Sequence, residues 1–186
     1  MDQMLSREEA LELVSLHVRN AGLIKHMIAV SSIMRGLASR LGEDPGLWEL
    51  VGMLHDIDYE EVGGDMKRHG LVSAEMVSGL LPEGALRAIR SHNPLTGVKA
   101  EGRLDIALIA ADALSGLIVA TALMMPGKRL EEVKVSSLRR KFKDGSFARG
   151  VSRENIMRCE ELGIGLEEFF EIGLESMRRV AADLGL

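Results

Sequence analysis

The stretch Gly52-Met53-Leu54-His55-Asp56-Ile57-Asp58-Tyr59-Glu60-Glu61 sets a histidine and an aspartate side by side at the end of an apolar run. Successive helical residues point about 100° apart, so the two side chains diverge, yet they can converge on an ion held in the wedge between them. An imidazole nitrogen with a carboxylate oxygen suits a first-row transition metal better than a bare Mg²⁺. A histidine capped by its neighbour at a helix end is the plainer alternative for an isolated pair. Partners elsewhere in the chain decide between the two.

Such partners exist. His26 lies between Leu23 and Val30 on a stripe of apolar residues at helical spacing, where a polar group must be hydrogen-bonded or coordinated. Asp112 is the single charge in the twenty residues from Ile106 to Met125. A carboxylate amid that much apolar surface must be neutralised, paired or metal-bound. His69 shares a helix face with Ser73, Met76 and Leu80, and His92 stands two residues before Pro94, where it could simply complement a helix dipole. The same bland role suits His17 at the end of the first helix. Beside the doublet, Asp58 and Glu60 belong to an acidic loop that ends in a Gly63-Gly64 hinge. Next to a metal, either carboxylate could protonate a leaving oxygen.

The elements that must position these groups are helices. Aromatic residues make up 3% of the 186 residues, so the core is built from Leu, Ile, Val, Ala and eleven Met, which favours helices over a β-sandwich. Ser6-Arg7-Glu8-Glu9 is a capping box opening a first helix to about residue 20. A second runs over about 23–41 and stops at Gly42, and Asp44-Pro45 starts a third as N-cap and N1. A fourth is expected over about 66–81, a fifth over 85–91 and a long sixth over 104–125. Two more close the chain over about 153–162 and 166–184. The expectation is an all-α, single-domain bundle of about eight helices over residues 1–186, with the second and sixth at its centre. A metal-binding core over about 23–120 carries a C-terminal helical extension over about 128–186.

Charge and cysteine usage narrow the setting. One cysteine, Cys159, excludes an internal disulfide framework and fits a reducing compartment. The first residues have neither the basic nor the apolar region of a signal peptide. A central aspartate opposes membrane insertion of residues 106–125, which read as a buried core helix. A cytoplasmic location is expected. A net charge of −5 argues against long nucleic acid or a membrane surface as a general partner, although Lys134–Arg153 holds seven Lys or Arg against one acid, Asp144.

The order His26, His55-Asp56, His69, His92, Asp112 resembles the HD superfamily of metal-dependent phosphohydrolases. The words "MLHDID", "HGLVSAEMV", "AIRSHN" and "LIAADALSG" resemble it too, between Leu23 and Ala120. Within it, His-Asp-Ile-Asp-Tyr-Glu is similar to a branch of predicted hydrolases of uncharacterised reaction. The resemblance implies His26, His55, Asp56 and Asp112 around one ion. It also implies His69 and His92 at a second ion, which Asp56 bridges. The cofactor would be one or two divalent transition-metal ions (Mn, Fe, Co, Ni or Zn). The chemistry implied is attack by an activated water on a phosphate ester or nucleotide. Two other readings stay open, an HD-like di-iron oxygenase and a non-catalytic nucleotide-binding regulatory domain. For an anionic substrate the basic groups nearest the doublet are Lys67, Arg68 and Arg90. Lys141 and Lys143 would join them if the C-terminal helices fold back over the site.

Overall fold

The computed structural model describes residues 5–186, among which there are ten α-helices and no β-strand. They are α1 (Arg7–His17), α2 (Ala21–Leu41), α3 (Pro45–Leu54), α4 (Leu71–Met76), α5 (Glu83–Ser91), α6 (Arg103–Leu123), α7 (Val135–Lys143), α8 (Arg153–Met157), α9 (Leu166–Arg179) and α10 (Ala181–Leu184). The expected all-α architecture is what the chain adopts.

Local chemistry explains most of the boundaries. Ser6 and Glu9 form the reciprocal capping box that starts α1. The Asp44 side chain accepts from the backbone N–H of Gly46 and Leu47, and Pro45 takes the first helical position of α3. The expected helix over 66–81 is shortened to α4, with turns over residues 66–70. Gly70, at φ +92°, is the cause, since a residue in that region cannot continue a right-handed helix. The basic run becomes a separate helix, α7, and the last expected helix divides into α9 and α10.

α2 and α6, the two longest helices, each supply ten or more buried residues to the core. α2 packs on α3, α6 and α9, while α6 also meets α5, α7 and α8. Met27, Val30, Ile33, Met34 and Leu37 of α2, and Leu108, Leu114, Leu117 and Ile118 of α6, are all fully buried. Each such side chain contributes about 1.5–3 kcal/mol of transfer free energy. The α2–α3 contact is unusually close at Gly52, where a Cβ would lie 2.7 Å from the Ser31 Cα. A side chain there would push the two backbones apart, and Gly52→Val would separate the helices that carry His26 and His55. α6 is long and apolar enough to cross a membrane by composition, but 67% of its apolar window is buried within the protein.

Candidate metal centre

Five segments meet at one point. α2 brings His26, the end of α3 brings His55 and Asp56, the turn before α4 brings His69, the end of α5 brings His92, and α6 brings Asp112. His55 is fully buried, and Asp56, His69 and His92 nearly so. His26 and Asp112 are about a third exposed and form the solvent side of the cluster.

Asp56 is the hub. Its Oδ1 lies 3.2 Å from the Nε2 atoms of His55, His69 and His92, and its Oδ2 lies 3.6 Å from His26 Nε2. His26 Nε2 is also 3.1 Å from Asp112 Oδ1, and the Nε2 atoms of His69 and His92 are 3.2 Å apart. Two triads of donor atoms, His26/His55/Asp112 and His55/Asp56/His92, are each compact enough for one ion, and His55 belongs to both.

The far nitrogens fix the orientation of each ring. His55 Nδ1–H donates to the Gly52 carbonyl (2.8 Å) and His92 Nδ1–H to the Ile89 carbonyl (2.6 Å). His69 Nδ1–H donates to Asp58 Oδ1 (2.7 Å). In all three the acceptor cannot give a proton back, so Nε2 is the atom turned toward Asp56. Such outer hydrogen bonds are the usual means of orienting a ligating histidine. Ser115 Oγ stands 3.4 Å from His26 Nδ1 and does the same more loosely.

Charge in the cluster is shared. Burial pushes the His55 pKa down and keeps that ring neutral. Burial also opposes ionisation of Asp56, but the imidazoles packed around it hold its carboxyl well below the usual range. Asp112 is lowered likewise, against its burial, by His26 and His55. His69 is raised to about 9, because Asp56 and Asp58 outweigh the burial of the ring. His26 is raised against its burial by Asp112 and Asp56, and His92 against its own by Asp56 and Asp112.

A neutral His55 with its proton on Nδ1 aims a lone pair at an ionised Asp56. Both His55 Nε2 and Asp56 Oδ1 are buried without a hydrogen-bond partner. Orphaned polar atoms of this kind are costly in a folded protein unless something satisfies them. A divalent cation does so, and a set of imidazoles and carboxylates suits Mn, Fe, Co, Ni or Zn. The residues present fit such an ion.

Both carboxylates offered as acids, Asp58 and Glu60, accept backbone N–H groups in the structure. Asp58 is fully buried, and its Oδ2 accepts from the backbone N–H of Gly70 and Ser73, both at 2.8 Å. These bonds and His69 overcome its burial and hold its pKa down. Glu60 is exposed and accepts from the backbone N–H of Arg19 (3.0 Å) and Asn20 (2.8 Å), bracing the α1–α2 junction rather than facing the cluster. Among the basic candidates, Lys67 and Arg68 are exposed just before His69, and Arg90 pairs with Glu83. Lys141 lies over the Phe147 ring at 4.3 Å, and Lys143 is exposed at the end of α7. The helix that carries them, α7, packs on α6 and α9.

Three supporting groups escaped the sequence reading. Asn93 Nδ2 donates to the carbonyls of Met66 (2.6 Å) and His69 (2.9 Å), tying the turn that carries His69 to the end of α5. Tyr59 sets its ring edge-on to His69 with centroids 5.2 Å apart. At Gly70 a Cβ would fall 2.9 Å from the Ile89 carbonyl and 3.2 Å from His92 Cε1, so the close approach of His69 to His92 requires glycine there. The adjacency "HG" and the Asn after His92 were the available signals.

Two cavities flank the cluster. One of about 470 Å³ runs between α2 and α6 beside His26 and is lined mainly by apolar side chains such as Val119 and Leu123. The other, about 280 Å³, lies beside His92.

A protein-family model described as "HD domain" matches residues 23–117, about half the chain. Among curated proteins the chain is similar to Ribonuclease Y of Lawsonia intracellularis (strain PHE/MN1-00). The two are 33% identical over 114 residues, covering 59% of this chain and 20% of that protein. It is also similar to Ribonuclease Y of Latilactobacillus sakei subsp. sakei (strain 23K), at 30% identity over 157 residues, covering 75% of this chain and 28% of the relative. The chain thus spans little more than a quarter of the length of these relatives at most. No solved structure matches it.

Proposed function

The chain belongs to the HD-domain family, and from that membership and the clustered site we propose that it is a metal-dependent phosphohydrolase acting on a phosphate ester or nucleotide. The observation that carries the reading is the pair of buried, unpartnered atoms, His55 Nε2 and Asp56 Oδ1, at the focus of four histidines and two aspartates. His26, His55, Asp56 and Asp112 would hold one ion, and Asp56, His69 and His92 a second. Bound there, a divalent transition metal supplies Lewis acidity toward water and toward a phosphoryl oxygen.

The protein's own residues do the rest. His55 and His92 are locked by backbone carbonyls and His69 by Asp58, so the donor atoms need little rearrangement as charge develops. Access is from the side of His26 and Asp112, the more exposed members. Lys67 and Arg68, exposed at the approach to His69, supply positive charge for an anionic substrate in a protein of net charge −5. The name of the relatives favours one particular ester, the phosphodiester of RNA, as a second reading.

The test is metal analysis of the purified protein, followed by turnover assays on mononucleotides, simple phosphate monoesters and short oligoribonucleotides. Expected are one to two transition-metal ions per chain and phosphate release that stops on chelation. Turnover that requires O₂, seen by comparing aerobic with anaerobic samples, would replace hydrolysis with oxygenase chemistry. Nucleotide binding with no turnover under any metal would leave a regulatory domain.

A further inference from the structure

The cavity beside His92 has the chemistry of an anion site, and nothing in the metal cluster accounts for it. Its polar lining is Ser91, His92, Lys99, Asn155 and Arg158, with two cations and no carboxylate. That is unusual in a chain with 28 Asp and Glu against 23 Lys and Arg. The cations come from two distant segments. Lys99 lies in the loop between α5 and α6, and Arg158 follows α8 in the C-terminal region.

Arg158 is built into place. Its Nε and Nη2 are engaged side-on by Glu161 at 2.7 and 3.2 Å, which holds the planar guanidinium and leaves Nη1 for another acceptor. Ile156 and Cys159, fully buried, anchor this segment in the core, where α8 packs on α6. Asn155 is ordered by the Ser152 cap on its backbone N–H (3.1 Å). The cavity is also lined by His92 and by Ile109, which lies about one helical turn before Asp112 on α6. It therefore adjoins the His/Asp cluster at His92. At about 280 Å³ it sits just below the usual range of small-molecule pockets, so it takes a compact group rather than a length of polymer.

Resting on the phosphohydrolase reading, we propose that this cavity is a subsite for a second phosphate of the substrate, one that is not hydrolysed, held by Lys99, Asn155 and Arg158. The substrate class is thereby a small molecule or nucleotide with two separated phosphate groups. The free Nη1 of Arg158 can donate to a phosphate oxygen, the Asn155 amide is a further donor, and a lysine ammonium adds a point charge.

The test measures inorganic phosphate binding by calorimetry, without reference to turnover. Asp112→Ala weakens the metal centre but does not line the cavity, so it should still bind phosphate. Adding Lys99→Gln and Arg158→Gln to it should weaken that binding by about tenfold or more. Unchanged phosphate affinity on adding them overturns the subsite. The same two substitutions in the metal-loaded parent chain, where folding is checked by circular dichroism, should leave metal content unchanged. They should raise KM for adenosine 3′,5′-bisphosphate about tenfold relative to adenosine 5′-monophosphate, and an equal rise for both substrates likewise overturns it. Phosphate binding that depends on Arg158 in a protein with no hydrolase activity sinks the parent reading but keeps the anion site.

Discussion

Replacing Asp58 with asparagine separates two roles that the residue could have. Its Oδ2 accepts two backbone N–H groups, from Gly70 and Ser73, and an amide carbonyl oxygen can keep both. The change then falls on Oδ1, where an NH₂ would face His69 Nδ1 across what is now a 2.7 Å bond. An amide donor there demands a lone pair on Nδ1 and drives the ring proton to Nε2, the atom aimed at Asp56. A charge-assisted hydrogen bond worth about 1.5–3 kcal/mol is lost. Outer-shell substitutions of this kind reduce metal affinity about 10–100-fold, which is about 1.4–2.8 kcal/mol. The two figures agree, so the expected result is metal binding weaker by one to two orders of magnitude at the ion held by His69. Titration of the metal-stripped protein with Mn²⁺ or Fe²⁺, read by calorimetry, measures this. Affinity and stoichiometry equal to the parent, with kcat alone reduced, would refute the positioning role and return Asp58 to the role of a proton donor.

Asp112→Ala should lower bound metal by about one ion per chain in elemental analysis, since it strips one of the donors of the His26/His55/Asp112 triad. Full metal content would remove α6 from the site. In the metal-stripped protein, His69 has a folded pKa of about 9 against 6.5 for a free histidine. Its proton therefore stabilises the fold fully below pH 6.5, and that contribution disappears as pH rises through about 9. Urea midpoints between pH 6 and 10 should fall accordingly, and His69→Asn should flatten the fall. Cys159 is fully buried and its thiol is pushed up to about 11 by burial and by Glu160. It should react with an aromatic disulfide reagent orders of magnitude more slowly in the native protein than in urea. Rapid labelling of the folded chain would place that segment outside the core.

What the sequence could disclose follows from where the information lies. His26 and Asp112 stood out because each interrupts an apolar stripe on a long helix, and burial of a polar group demands a partner that local pattern cannot supply. The long helices were readable for the same reason, through periodicity and caps. The surroundings of Asp58 were not legible because its partners are backbone N–H groups of Gly70 and Ser73, exposed only by a turn at positive φ that replaces the first part of the expected fourth helix. Glu60 reaches back to Arg19 and Asn20, a contact no spacing rule contains. Lys99 and Arg158 went unnoticed since neither lies near a motif, and only the packing of α8 on α6 brings them to one cavity. The basic run near Lys141 attracted attention through density of charge, yet Lys141 lies against Phe147.

The ring of histidines around Asp56 is also a fastener. His26 and Ser115, in contact at the edge of the cluster, are 89 positions apart, and between them the chain passes through every other ligand. An ion seated here closes a long loop whose entropy the unfolded chain would otherwise recover. Because the unfolded chain cannot present all the donors together, an ion at a hundred times its dissociation constant adds about 2.7 kcal/mol to stability. If an ion is bound there, its supply then sets the stability of the fold. Chelation should first loosen α6 from α2, at the very seam where substrate would enter.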